Sequence, residues 1–598
     1  MTTTANLGSL FVASAVCMLQ QLVADGTATA RSGHEAQLIE GSIVRASMAG
    51  AALDTNLLSG GGTDDTAALQ RALDNASSGR AVHLIIDGPA LVSGLDVYGH
   101  TTIECTAGGG LYLKENSDRA IIRNVHRSRS DTVDEHITIS GCFLNGNRDR
   151  QRSIGGSRYP TANQQQDGTY KSGLQFFGVN YLTVENVTLW NIRSFGVWVA
   201  NAKVITIRDV IVDSRFPPFP ETASSADKRR YLDGVLNNDD GLHFNGPIQY
   251  LLIDGLKVRT GDDGIGLNAN DAGFDDMTVT DEMGPYVGQG PILDVTVRDV
   301  MFMDCLLGIR LLSTDQRIDR VVIGNLLGVV RYRMAILSHH INRLKSPHMG
   351  NFGSVTFNDV NVQPANFSSL AEMYPDVYQS MHDQWDIDEE GEVPLFSINS
   401  QVEHLSLNHV VVKAIDERPL IRIGREAFIQ TVDASLSVRD PLLLAVPLKV
   451  VRGGQIERLN LSIDWRGKGV DDPGRSAIRN EGGTIRELHW MNTPPQYMSA
   501  ELDSADPHIV VVKFSQHIKA NDLMRGVTIR IGGENVPILY ATKTKAGDTV
   551  RYQIGKARCS GPITLEYDAA KGSIANFSGD QMLSVGEMFV SFRHGCVK

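Results

Sequence analysis

Along the middle of the chain, β-forming and polar positions alternate in short runs, and one four-residue unit keeps returning. It consists of a β-former, a polar residue, an Asn, Asp or Gly, and a second β-former. The unit reads Val184-Glu185-Asn186-Val187, Ile207-Arg208-Asp209-Val210, Ile253-Asp254-Gly255-Leu256, Val297-Arg298-Asp299-Val300, Ile323-Gly324-Asn325-Leu326 and Phe357-Asn358-Asp359-Val360. Successive last positions differ by 23, 46, 44, 26 and 34, which is one or two periods plus loops. Each unit predicts a short strand with inward apolar residues, then a turn where Asn, Asp or Gly accepts a left-handed backbone. Helical periodicity is absent, so leucine-rich and all-helical solenoids fit poorly. The expected fold is all-β: a right-handed parallel β-helix whose coils run from about residue 82 to about residue 490, each burying its apolar face against its neighbours. A β-sandwich of similar strand spacing is the competing arrangement.

The same patterning divides the chain. Residues 1–57 read as a signal-like N-terminal segment, 58–491 as the β-helix domain, 492–507 as a linker around Pro494-Pro495, and 508–598 as a C-terminal Ig-like β-sandwich with strands such as Ile509 to Val512. Leu7 to Leu19 is apolar and ends near Ala28-Thr29-Ala30, although the first positive charge is Arg31. This resembles a signal peptide without a basic leader, so a secreted or periplasmic location is expected, with an ordinary N-terminal helix as the competing reading. Asp65 is placed as the N-cap of a short helix over Ala67 to Leu73, a lid for the open end of the solenoid. Two long insertions, Asp213 to Leu236 and Pro364 to Val393, interrupt the coils and would wall a cleft.

Composition narrows the function classes. With 598 residues, 42% of them hydrophobic, and 58 glycines, the chain can bury a long core between many turns. A net charge of −13 argues against nucleic acid or an anionic membrane surface as partner, and no internal apolar run is long enough to insert into a membrane. Six cysteines are too few for a disulfide scaffold and form no metal-binding spacing. Cys559 and Cys596 are the candidate bridge, with buried free thiols on strands as the competing reading.

Candidate chemistry concentrates in Asn237-Asn238-Asp239-Asp240-Gly241 and Thr260-Gly261-Asp262-Asp263-Gly264. Asp239 to Asp262 and Asp240 to Asp263 are each 23 positions apart, one period of the repeat. Residues one coil apart stack about 4.7 to 4.9 Å from each other, so the carboxylates share one patch. Like charges that close cannot all ionise at their ordinary pKa, and at least one carboxyl is expected to titrate high enough to act as an acid. Asp239, out of phase by one residue, is expected to point into a turn. His243 follows two residues after Gly241 and is a candidate for the cleft. Between Arg310 and Lys345 stand seven Lys or Arg against two acids, a strip suited to an anionic sugar or to solvated turns. Trp190, Trp198, Phe244, Tyr286 and Tyr332 are candidates for stacking on sugar rings or for the core.

These motifs carry a resemblance. The Gly61-Gly62-Thr63-Asp64-Asp65-Thr66 segment, the stretch Ile137 to Asn147 and the Asp pairs resemble the pectate-lyase-like β-helix superfamily. Within it, Asn238-Asp239-Asp240-Gly241 resembles the Asn-Thr-Asp-Gly motif, and Gly261-Asp262-Asp263-Gly264 the Gly-Asp-Asp motif, of the polygalacturonases (glycoside hydrolase family 28). The resemblance implies a polysaccharide or oligosaccharide substrate, no metal and no cofactor. It implies Asp262 as general acid, with Asp240 and Asp263 activating water, and an inverting outcome. Two family motifs are not reproduced. Leu306-Leu307-Gly308-Ile309 stands where Gly-His-Gly is expected, and Arg331-Tyr332-Arg333-Met334 where Arg-Ile-Lys is expected. Asn238, His243, Arg310, Arg333, His339, His340 and Lys345 are the candidate substrate-binding residues. Two other readings fit the scaffold: a lyase whose Asp cluster holds Ca²⁺ while a basic residue abstracts the proton α to a uronate carboxyl, and a tailspike-like glycan-binding depolymerase.

Overall fold

The computed structural model describes residues 41–151, 172–214, 239–270, 286–339, 349–364, 394–413, 419–439, 447–466, 478–490 and, with short breaks, 497–590. Among the described residues, twenty-five strands up to Trp490 form one continuous array, paired in parallel from Ala81–Ile86 onward, the wound sheet of a right-handed parallel β-helix. The recurring unit sets the register. Val210, Leu256, Val300, Leu326, Val360 and Val410 are successive partners on adjacent coils, and all are buried in one core that also holds Val187. Fully burying a side chain of this size contributes about 1.5–3 kcal/mol, and the column repeats that gain coil after coil. The third position of each unit takes the left-handed backbone, with φ of 52° at Asn186, 51° at Asp209, 58° at Asp299, 52° at Asn325 and 51° at Asp359. At Gly255, φ is 79° and a Cβ would lie 2.7 Å from Asp209 Oδ1, so the neighbouring coil leaves room for glycine there.

Several boundaries differ from the sequence reading. The solenoid begins before residue 58: Ala46 is buried in the core and its N–H donates to Ile85 O at 2.9 Å. The helix spans Thr66–Leu73 and packs Leu69, Ala72 and Leu73 into the same core. Asp65 sits at its N-cap, yet its carboxylate accepts from the N–H groups of Ala52 and Leu53 at 2.6 and 3.0 Å. Asp64 instead accepts from the Thr66 N–H at 3.0 Å. A carboxylate that ties down the incoming chain satisfies two donors, and its neighbour takes over the cap. The stretch read as linker contains the strand Tyr497–Leu502, paired antiparallel with Ile509–Phe514. It completes a four-stranded sheet, and a second four-stranded antiparallel sheet shares one apolar cluster with it around Val510, Val512, Ile529, Leu565 and Tyr567. The disulfide joins Cys105 and Cys142 on neighbouring coils; Cys559 and Cys596 lie outside the described residues, as do the apolar N-terminal run and almost all of both insertions. Among the described residues no helix is long and apolar enough to cross a membrane.

Candidate active site

The site forms where three coils turn the same corner. Strand Leu242–Arg259 pairs with Asp263–Asn268 in the register Leu242 to Ile265 and His243 to Gly266, and Asp263 pairs onward with Leu307. The offset of 23 that separates the Asp pairs is therefore one coil. Backbone bonds hold the corner: Gly241 N–H donates to Asp263 O at 2.8 Å, Asp262 N–H to Asp239 O at 3.3 Å, and Leu307 N–H to Asp262 O at 3.3 Å. Asp240, Asp262 and Asp263 are buried there, with one carboxylate oxygen from each lying within 4.8 Å of the other two. Hard oxygen ligands in that arrangement could also hold a divalent cation.

Asp239 takes a different direction from the turn expected for it. It is fully buried, pairs with Arg148 Nη1 at 2.9 Å, and accepts the Ser194 N–H at 2.9 Å. Arg148 also donates to Ser214 O at 3.1 Å, linking two coils to the acid corner. Burial pushes the Asp239 carboxyl up to about 6, with Arg148, the Ser194 amide and Arg193 opposing and Asp240 adding to the rise. The sequence reading contained no signal for Arg148, whose contact depends on how far apart in sequence two stacked coils lie.

His243 lies against the acids. Its Nδ1 is 2.5 Å from Asp240 Oδ2, its ring stacks on Phe195 with centroids 4.1 Å apart and planes 13° apart, and Trp198 meets it edge-on. Nε2 faces Asn268 Nδ2 at 3.3 Å. Asn268 follows Asn245 by the same 23 positions as the Asp pairs, a spacing that could have flagged it. Gly266 lies beside this group, where a Cβ would come within 3.2 Å of Asp240 Oδ2 and 3.5 Å of His243 Nδ1.

The candidate cations separate into two sets. Arg310 is on the coil after Gly266, and its Nη1 lies 4.0 Å from Asp263 Oδ2. Arg333 pairs in register with Leu307, two coils beyond Asp263, and its guanidinium lies 4.7 Å over the Tyr332 ring. His339 reaches Ser400 Oγ at 3.1 Å and Glu426 Oε2 at 3.1 Å, partners outside the carboxylate group. Asn238, His340 and Lys345 lie outside the described residues. The basic strip is largely neutralised: Arg317 pairs with Asp319 and Glu403, Arg320 with Asp294, and Arg331 with Asp304. Counting cations along the sequence missed acids that arrive from other coils. Trp198 and Phe244 are buried outright; Trp198 packs with Phe177 and Phe195, and its Nε1–H donates to Asn245 Oδ1 at 2.7 Å. Tyr286 is partly buried with Arg127 4.3 Å over its ring.

A parallel β-helix carrying three clustered carboxylates on adjacent coils is the class of site that fold and geometry define. The chain is 25% identical over 280 residues to an exopolygalacturonase of Arabidopsis thaliana (clone GBGA483), a match covering 44% of this chain and 57% of that protein. The chain thus spans a little over half the length of the curated relative it matches. No family model matches the chain. Among solved structures it is similar to the Family 28 exopolygalacturonase of Yersinia enterocolitica, with 14% identity, a TM-score of 0.40, and coverage of 75% of this chain and 78% of that one. It is also similar to the tailspike protein of E. coli bacteriophage HK620, solved in complex with pentasaccharide, with 11% identity, a TM-score of 0.39 and 88% of both chains covered.

Proposed function

We propose that the chain is a polygalacturonase-like glycoside hydrolase that cleaves an acidic, uronate-type glycan by carboxylate general acid/base catalysis. The observation that carries this reading is the trio Asp240, Asp262 and Asp263, buried together with oxygens within 4.8 Å. Glycoside hydrolysis needs one protonated and one ionised carboxyl at the scissile bond, and this corner brings three carboxyls together. The stretch of sequence similarity to an exopolygalacturonase supports the same chemistry. Asp262 serves as the acid that protonates the leaving oxygen; Asp240 and Asp263 orient and deprotonate water. Asp240 is cast as base by its bonds, since Oδ2 faces the His243 ring nitrogen and Oδ1 accepts the Asp263 N–H at 3.4 Å. Arg310, beside Asp263, is placed to receive a substrate carboxylate, with Arg333 further along the axis. Secretion or export to the periplasm fits a polymeric substrate.

Two carboxylates gripping one water imply attack opposite the leaving group, hence inversion. The spacing makes this a sharp question: the trio's oxygens, within 4.8 Å of one another, are closer than the about 6.5–9.5 Å between the carboxyls of inverting enzymes and nearer the about 5–5.5 Å of retaining ones. The deciding experiment digests a panel of acidic glycans in heavy-oxygen water, with mass spectrometry of the products and proton NMR of the first anomer formed. Saturated products carrying one heavy oxygen and an inverted anomer are expected. A retained anomer removes the water-sharing assignment of Asp240 and Asp263. The same trio could instead hold Ca²⁺ for a lyase with Arg310 as base; ultraviolet absorbance from an unsaturated uronate, abolished by chelator, would establish that reading in place of hydrolysis.

A further inference from the structure

We propose that His243 is a positioning residue for Asp240, the partner that fixes which oxygen of this carboxylate is left to act on water. What Asp240 does in this inference rests on the hydrolase reading; how it is held rests on geometry. The imidazole is restrained on three sides, by the face of Phe195 at 4.1 Å, the edge of Trp198 at 6.1 Å and the Asn268 amide at 3.3 Å from Nε2. A ring held this way is fixed in its plane, and its Nδ1 meets Asp240 Oδ2 at 2.5 Å. In the base role proposed for Asp240 its carboxylate only accepts, so Nδ1 carries the proton whichever way the Asn268 amide faces. The bond fixes the rotation of the carboxylate about its own axis. Oδ2 is committed to the histidine, and Oδ1, held by the longer Asp263 amide contact of 3.4 Å, is the oxygen able to take a proton. Gly266 keeps the arrangement open: a methyl there would sit 3.2 Å from Oδ2 and 3.5 Å from Nδ1, against the bond itself. A base whose geometry is set in advance removes the reorientation otherwise needed at the moment of attack.

The experiment compares wild type, His243→Asn and His243→Leu for kcat and KM on the cleaved glycan, and for melting temperature. Asparagine places an amide N–H where Nδ1 stood; leucine fills the space without a donor. His243→Asn is expected to stay within about tenfold of wild-type kcat and His243→Leu to fall about 10²-fold, the scale set by a misplaced reacting group, with KM unchanged in both. Equal losses in the two variants with an equal fall in melting temperature would assign the residue to packing and overturn the proposal. Full activity in His243→Leu would overturn it as well. A readout independent of turnover is the nitrogen-15 spectrum of the resting protein, with the His243 signal assigned by its loss in His243→Asn. A protonated Nδ1 whose shift moves in Asp240→Asn is expected. A bare Nδ1 rejects the inference even if the enzyme is active. A protonated Nδ1 in a protein that cleaves no acidic glycan rejects the hydrolase reading and leaves the positioning contact standing.

Discussion

On the outward turns of the solenoid, Asp254 bonds Arg298 at 2.7 Å, Asp294 bonds Arg320 at 2.5 Å and Glu403 bonds Arg317 at 2.6 Å. In each case the guanidinium bond holds the carboxyl below its ordinary range by favouring the charged form. At the acid corner the balance reverses. Asp239 also has an arginine, Arg148 at 2.9 Å, yet its carboxyl is pushed up to about 6 because it is wholly withdrawn from water. Both regions pair an arginine with an acidic side chain from another coil. What differs is the solvent: partial exposure makes an ion pair easy to form and of little consequence, whereas burial makes it costly to form and costly to break. A solenoid offers both environments on one coil, so stacking acids at the corner concentrates charge that an outward turn would disperse.

The comparison is tested hardest at the corner itself. Asp262→Asn is expected to lower kcat about 10² to 10⁴-fold, the usual loss for a general acid, with the circular dichroism spectrum and melting temperature close to wild type. The matched control is Asp294→Asn on the outward turn, which should leave turnover unchanged. Near wild-type turnover in Asp262→Asn on the true substrate would remove the distinction between the two regions as far as chemistry is concerned.

Next in size is the buried pair. Arg148→Met removes the ion-pair partner of the buried Asp239 and is expected to destabilise the protein by about 3–5 kcal/mol, read as a shift in the urea midpoint. Adding Asp239→Asn should recover most of that loss, since an apolar and a neutral partner need no counter-charge. If Arg148→Met alone costs no more than an outward pair, burial is not what separates the regions.

The two regions should also respond to pH with opposite sign. Asp239 has a folded pKa above its unfolded value, so its contribution to stability is present below about pH 4 and lost as pH rises through about 6. The loss amounts to about 3 kcal/mol, from roughly two units at 1.36 kcal/mol each. Asp254, Asp294 and Glu403 have depressed folded pKa values, so their contributions are present above the unfolded carboxylate range and are lost as pH falls through the folded value. Urea titrations of wild type and Asp239→Asn between pH 4 and pH 7 should differ by an amount that changes across this window in the stated direction. A constant difference would place the Asp239 carboxyl back in the ordinary range.

How much of this was legible in the sequence follows from what each feature depends on. The coil period, the inward column of Val210, Leu256, Val300, Leu326 and Val360, and the left-handed turns at Asp209 and Asp299 are local matters of alternation and turn chemistry, and they were readable. The convergence of Asp240, Asp262 and Asp263 was readable because their spacing equals the period. Arg148 beside Asp239 was not, since the contact crosses coils separated by loops of unequal length. The Cys105 to Cys142 bridge was hidden by one extra residue: Ile103 pairs with Ile139, but Gly141, at φ 69°, shifts the second cysteine from two positions after its isoleucine to three. The strand Tyr497–Leu502 was obscured by a polar setting, with Ala500 its fully buried residue.

The smallest expected effect lies on the outward turns. The pair Arg320 and Asp294 joins coils 26 positions apart, with Nε to Oδ1 at 2.5 Å and Nη2 to Oδ2 at 2.8 Å, a two-pronged contact with good geometry. Its arginine side chain is about half exposed, 52%, so water screens the charges and the free energy available is about 0–1 kcal/mol. A double-mutant cycle on Arg320→Ala and Asp294→Ala should return a coupling energy in that range, because two long side chains are ordered for a gain that solvent already supplies in part. Raising the salt concentration should shrink the coupling, as screening acts fully on exposed charges, while the coupling between Arg148 and Asp239 should hardly respond. A coupling at Arg320 and Asp294 as large as the buried one, or equal salt sensitivity in both, would mean that solvent access is not the variable dividing the two regions. The contrast would then have to be sought in the backbone strain of the turns, where Asp294 and Arg320 both carry left-handed φ, 59° and 53°.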